Sequence, residues 1–281
     1  MPRYAATVAL YHAVALLAGL PWLFSWTGVV LAILGLYVFG SLGINLYYHR
    51  LLTHRGLTTP RWVEKLLAIL AVSCVQDTPA RWVAVHRRHH EFSDRQPDPH
   101  SPLVNFLWGH VGWMLVENGD LARFQIYERY AKDILRDPFQ KWLERNYGWI
   151  VLGQWLAFFG AGAVIALIAG HPISGALQLG ASLLVWGVFV RTVLVWHITW
   201  SVNSLSHLFG YRTFETGEDS RNNILVALIS NGEGWHNNHH ADPRSARHGH
   251  RWWELDVVYL TIAAMEFLGL AHNVVRPRIA K

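Results

Sequence analysis

The chain is poor in charge and nearly devoid of cysteine. Only 15% of its 281 residues are Asp, Glu, Lys or Arg, and Cys74 is the single cysteine. One cysteine excludes an internal disulfide and any cysteine-based zinc site. No repeat array or low-complexity segment is present, which excludes solenoid and linker-like architectures. The missing charge is concentrated in two blocks. From Tyr4 to Tyr48, and again from Asn146 to Val190, there is no Asp, Glu, Lys or Arg. A transmembrane helix takes ~20 apolar residues, so each block holds two spans joined by a turn. Pro21, Ser25, Thr27 and Gly28 mark the first turn; Gly170, His171, Pro172, Ser174 and Gly175 mark the second. Spans are expected near 5–21, 28–47, 149–169 and 175–200. The stretch after Arg3 lacks a small-residue cleavage site before the second span, so it reads as a retained span, not a signal peptide.

Both turns between paired spans are uncharged, and apart from Arg191, inside the fourth span, every Lys and Arg lies on the opposite side. The positive-inside rule then places both termini and the 49–145 segment in the cytoplasm. The expected organisation is all-α and integral to a membrane, with four transmembrane helices beneath a cytosolic helical cap. Residues 1–48 form hairpin 1, 49–145 a cytosolic and interfacial segment, 146–202 hairpin 2, and 203–281 the rest of the cap. The apolar stretches 62–75 and 103–116 are too short to span and read as helices lying in the interface or packing beneath the spans; 252–270 reads as a helix with one apolar face. The net charge of +5 fits attraction to anionic headgroups or to an acidic partner. No nucleic-acid motif is present.

What the chain does have is histidine, 17 in all. Two copies of HxxHH stand out: His86, His89, His90 and His236, His239, His240. On a helix, positions i, i+3 and i+4 share a face, so each copy aims at one region. Asn203 and His207, four apart, do the same. His49 and His54 are five apart and diverge somewhat, though both close the second span. With four spans, all four groups fall on one side of the membrane. Neutral imidazole is the commonest metal ligand. Nine imidazoles with the Asn203 amide exceed what one ion takes and suit two. Spacing alone leaves iron, zinc, copper and nickel open. The remaining histidines, His12, His100, His110, His171, His197, His248, His250 and His272, are expected in ordinary structural or surface roles.

The segments YHRLLTHRGL, RWVAVHRRHHEFSD with DPH, GHVGWML, TWSVNSLSHLFGYR and NGEGWHNNHH, in this order, resemble the membrane fatty acyl desaturases of the stearoyl (delta-9) type over roughly residues 40–275. The resemblance implies a di-iron centre held by His49, His54, His86, His89, His90, Asn203, His207, His236, His239 and His240, with Asn203 acting through a water. It implies O2 as co-substrate and no catalytic side chain beyond the metal centre. It implies a bent acyl tunnel shaped by Gln76, Trp82 and Thr199, with Tyr48 bearing on chain length. Glu91, Asp94, Asp98, Glu233 and Asp242 flank the histidines and are candidates to hydrogen-bond their ring N–H groups. Arg191 is expected to be a buried structural residue with a partner. Two departures from the animal relatives concern CoA recognition: Ala84 replaces an arginine, and Ile126 with Tyr127 replaces a basic pair. The acyl carrier is therefore open among CoA, acyl carrier protein and glycerolipid. Electrons would come from a separate donor of b-type cytochrome, ferredoxin or rubredoxin type, in a bacterial cytoplasmic membrane. The rival readings are a fatty acyl or alkane hydroxylase with the same type of centre, and a haem-binding subunit or metal transporter.

Overall fold

A computed structural model describes residues 2–116, 119 and 124–278. Among these residues the fold is helical, with three isolated antiparallel bridges in place of a sheet: Thr58 with His272, and Asn222 with both Tyr211 and Trp235. Three helices are long and apolar enough to cross a membrane: Trp26–Thr53, Pro138–Ile168 and Ile173–Leu208, of 28, 31 and 36 residues. At 1.5 Å per residue each exceeds the ~30 Å hydrocarbon core. The expected domain boundaries at 48/49, 145/146 and 202/203 fall inside these helices. Polarity changes there, but no proline or turn residue stops the backbone, so the helices run on and carry polar side chains past the apolar zone. The first expected span is shorter. Its helix, Pro2–Leu16, is followed by 3₁₀ turns at Leu17–Gly19 and Pro21–Leu23.

The first hairpin turn packs on the helix that follows the second turn, Ile173–Leu184. Ser25 Oγ lies 2.7 Å from Ser182 Oγ, and Gln178 Nε2 donates to the Trp22 carbonyl at 2.7 Å. Ser25 also caps its helix by accepting the Gly28 N–H at 3.0 Å. Small residues bring the last two long helices together: a Cβ on Gly162 would lie 2.7 Å from the Leu179 carbonyl oxygen.

At the other end, shorter helices gather around the ends of Trp26–Thr53 and Ile173–Leu208. Arg61–Val72 buries Val63, Leu67, Ala68 and Ala71 and leaves Trp62 and Leu66 exposed, the amphipathic pattern expected for 62–75. The 103–116 stretch is helical only over 106–115, with a π-helical turn at Trp108–Gly112. The expected helix at 252–270 is shorter, Val257–Phe267, because Asp256 caps it by accepting the Tyr259 N–H at 2.9 Å.

Arg191 is fully buried between the long helices. Its Nη2 donates to Gln154 Oε1 at 2.6 Å, its Nε to the Gly187 carbonyl at 3.1 Å and its Nη1 to the Ser73 carbonyl at 3.3 Å. The guanidinium also sits 3.9 Å from the Phe39 ring centroid. Gly35 leaves the room, since a Cβ there would lie 2.7 Å from Arg191 Cγ.

Candidate metal centre

Three local devices aim the histidines. Pro79 opens the helix Pro79–Phe92, on which His86, His89 and His90 share a face. The Trp26–Thr53 helix changes to π-type hydrogen bonding from Leu36 onward, and the His54 N–H reaches the His49 carbonyl at 3.1 Å. That five-residue closure turns the awkward spacing of His49 and His54 into a pair, with ring centroids 4.8 Å apart. The tight turn before the second HxxHH needs its glycines. Gly232 has φ +126°, and a Cβ on Gly234 would lie 2.1 Å from the Ala227 nitrogen. This turn delivers Glu233 to His49 and starts the helix His236–Ala241.

The nine histidines of the four groups form two adjoining clusters. His49, His54, His86, His90 and His239 bring ring nitrogens within 4.8 Å of one another; His89, His207, His236 and His240 do the same. In the first, His49 Nε2 lies 3.1 Å from His239 Nε2, His86 Nε2 lies 3.1 Å from those of both His54 and His90, and His90 lies 3.0 Å from His239. In the second, His236 Nε2 lies 3.1 Å from those of His207 and His240. Asn203 stands one helical turn before His207 and lines the same cavity as His236.

Carboxylates occupy the outer side of several rings. His49 Nδ1 donates to Glu233 at 2.5 Å, His89 Nδ1 to Asp98 at 3.0 Å, and His207 Nδ1 to Asp94 at 2.7 Å. A ring whose Nδ1 gives its hydrogen outward presents a bare Nε2 lone pair inward. Bare lone pairs converging at about 3 Å repel unless a cation lies among them, and His89 Nε2 is buried with no hydrogen-bond partner. This donor set fits two metal ions. Electrostatics agree. Burial, reinforced by neighbouring imidazoles, holds His54, His86, His90, His236, His239 and His240 well below the ordinary histidine range, hence neutral and ready to ligate. Burial is the largest influence on His89 and would lower it too, but the charge and hydrogen bond of Asp98, together with the charges of Asp94 and Glu218, outweigh it and raise the ring.

Of the five flanking acids, Asp94, Asp98 and Glu233 face histidines. Glu91 pairs instead with Arg129 and Tyr130, and Asp242 accepts the Arg278 N–H at 2.8 Å. Sequence reasoning missed Glu218, whose carboxylate lies 3.6 Å from His240 Nδ1. It also gave His248 and His100 ordinary roles. His248 is fully buried, with its Nδ1 3.7 Å from Glu233, its ring 4.5 Å from that of His239, and neither ring nitrogen hydrogen-bonded. His100 stacks on His89 at 4.3 Å. No sequence spacing marks these three, because long-range packing alone brings them in. His12, His197 and His110 form a separate row, linked at 3.1 and 3.0 Å.

A cavity leads from Tyr4, Thr7 and Val8 to His49, His86 and His236. Gln76, Trp82 and Thr199 line it, and Gln76 Nε2 donates to Thr199 Oγ1 at 2.9 Å. Tyr48 lies one ring behind: it packs on Trp82 with centroids 5.4 Å apart, and its hydroxyl donates to the Asp77 carbonyl. Ala84 and Ile126 are both buried in the core, so neither position presents a side chain to a soluble ligand.

The sequence is similar to known proteins over most of its length. The family described as fatty acid desaturase matches residues 20–274. A protein of Anabaena variabilis named sn-1 stearoyl-lipid 9-desaturase is 42% identical over 265 residues, covering 94% of this chain and 89% of the relative. An sn-2 palmitoyl-lipid 9-desaturase of Nostoc sp. is 39% identical over 266 residues, covering 94% and 87%. An acyl-CoA 5-desaturase of Anemone leveillei is 38% identical over 257 residues, covering 92% and 74%.

Proposed function

The chain belongs to the fatty acid desaturase family, and from that premise we propose that it inserts a cis double bond at the ninth carbon of a saturated acyl chain carried on a membrane glycerolipid. It is an oxidoreductase of the membrane. The observation that carries this reading is the convergence of two histidine clusters on one end of a mostly apolar cavity. Removing two hydrogens from unactivated methylenes lies beyond side-chain acid–base chemistry, and a cofactor must carry it. His49, His54, His86, His90 and His239 would hold one iron; His89, His207, His236 and His240 would hold the other, with Asn203 contributing through a water. When bound, the two irons supply the oxidising power drawn from O2.

The chain's own residues do the rest. Glu233, Asp98 and Asp94 fix the tautomers of His49, His89 and His207, so that each Nε2 lone pair faces inward. Trp82, Trp196 and Trp200 wall the cavity and exclude water from the reacting methylenes. Gln76 and Thr199, joined across the cavity, define its bend. The balance is one O2, two electrons, two protons and two substrate hydrogens giving two waters and one alkene. A separate electron donor of b-type cytochrome, ferredoxin or rubredoxin type supplies the electrons. We read four membrane crossings with the termini and the centre on the cytoplasmic side. The uncharged hairpin turns at the far end support this reading. The glycerolipid carrier is favoured because the positions that carry cations in acyl-CoA enzymes hold Ala84 and Ile126, both buried.

The test is a fatty-acid profile by gas chromatography–mass spectrometry, with double-bond location and lipid-class separation. The full chain and a His239→Ala control are expressed in a host unable to desaturate saturated chains. The expected result is a Δ9 monounsaturated acid in the glycerolipid fraction, made only by the unaltered protein. A hydroxy acid would move the protein to the hydroxylase reading. Labelled product first appearing in acyl-CoA would overturn the carrier.

A further inference from the structure

The segment 73–77 joins helix Arg61–Val72 to helix Pro79–Phe92, and its backbone is strained. Val75 has φ 54° and Asp77 has φ 82°. Positive φ is uncommon for any non-glycine residue and a genuine outlier for a β-branched one. Such a conformation persists only where the surroundings over-determine it. Here they do so through the carbonyls. The Ser73 carbonyl accepts from Gln154 Nε2 at 3.2 Å and from Arg191 Nη1 at 3.3 Å. The Cys74 carbonyl accepts from Trp196 Nε1 at 2.8 Å, and the Asp77 carbonyl from the Tyr48 hydroxyl at 3.1 Å. The donors come from all three long helices. In the middle of this pinned segment is Gln76, whose side chain reaches Thr199 in the cavity wall.

We propose that Arg191, acting with Gln154, is a positioning residue for product regiochemistry: by pinning the strained 73–77 segment it holds Gln76 against Thr199, which fixes the methylene presented to the metal centre. This inference rests on the desaturase reading and on the cavity as its acyl tunnel. Arg191 does not line that cavity. It has no carboxylate partner among the described residues, and Gln154, one of its four polar partners, shares the Ser73 carbonyl with it. A cation inside a span is costly and is retained where it has a task; the segment it grips is the one that shapes the bend. A purely structural arginine would affect how much protein folds, not where the double bond falls.

The experiment compares full-length Arg191→Lys, Gln154→Met and Thr199→Val in the same host. Double-bond position is read by mass spectrometry, alongside folded protein and iron per chain. Arg191→Lys and Gln154→Met are expected to raise the fraction of product with a displaced double bond roughly tenfold, with iron per folded chain unchanged, as a misplacement of about an ångström would. Product solely at the original position from both, with only the yield of folded protein reduced, overturns the inference. A shift in Thr199→Val alone overturns it while leaving the tunnel reading standing. No shift in any of the three sinks both. If Arg191→Lys fails to fold, Gln154→Met decides.

Discussion

Arg50 and Arg191 are both buried, at 1% and 0% exposure, one in the histidine-bearing end and the other between the long helices. Their surroundings differ in kind. Arg50 sits between two carboxylates, with Nη2 2.7 Å from Glu233 and 2.9 Å from Asp256, and Nη1 donates to the Ala246 carbonyl at 2.7 Å. Those carboxylates hold other groups in turn: Glu233 accepts from His49, and Asp256 accepts the N–H groups of His248 and Tyr259. Arg191 is met by one amide oxygen, two main-chain carbonyls, the Cys74 sulfur and an aromatic face, with no ion pair among the described residues. The histidine-bearing end thus solves burial by neutralising charge within a network, and the packed long helices solve it by solvating one charge with dipoles. Arg50 stabilises a site carboxylate; Arg191 holds a main-chain carbonyl, that of Ser73.

This contrast can be broken in order of expected effect. Arg50→Met would leave Glu233 and Asp256 buried without their cation, at a cost of about 3–5 kcal/mol. Thermal unfolding of detergent-purified protein should show a large loss, and metal analysis a fall in iron. Arg191→Met strands no charge and leaves only neutral acceptors unfilled, a cost of about 1–3 kcal/mol. Equal losses in the two variants would mean that the distinction between ion pair and dipole solvation is wrong.

Acid should separate the two regions further. Burial, with His89 beside it, pushes His100 down to about 3. The unfolded chain then binds a proton that the folded state refuses between about pH 6.5 and 3. Stability from this group is whole above about 6.5 and falls with acidification by roughly 1.4 kcal/mol per pH unit. The six cluster histidines held low, His54, His86, His90, His236, His239 and His240, act in the same direction, and the raised His89 opposes them. Iron-free protein should therefore lose melting temperature from pH 7 to pH 5, and more steeply than iron-loaded protein, whose ligands are held unprotonated. A flat profile for the iron-free form would contradict the neutral clusters. The smallest expected effect on stability is that of His248→Phe, which keeps a ring but removes both nitrogens beside Glu233. Iron affinity should weaken about 10- to 100-fold with the fold retained. Unchanged affinity would confine the Glu233 network to His49 and Arg50.

The histidine pattern was legible because periodicity is a local property. The i, i+3, i+4 spacing of His86, His89 and His90 fixes a shared face before any tertiary contact forms, and the same holds for the second triplet. The uncharged blocks were legible for the same kind of reason, since a bilayer reads composition over ~20 residues. The spacing of His49 and His54 was read as divergent. Its resolution lay in π-helical closure, which the pattern does not announce.

By itself, then, the sequence determined that the protein belongs with membranes, that ten side chains could ligate two metals, and that its motifs are those of a desaturase. Only the tertiary structure decided that the nine histidines divide into groups of five and four. It alone brought Glu218 and His248 to those groups, and it alone gave Arg191 its partners in Gln154 and Ser73. Ligand spacing lies within single helices, where 3.6-residue geometry is written into the chain. The outer partners join residues far apart in sequence, such as His49 with Glu233, and those distances are set only when the helices pack.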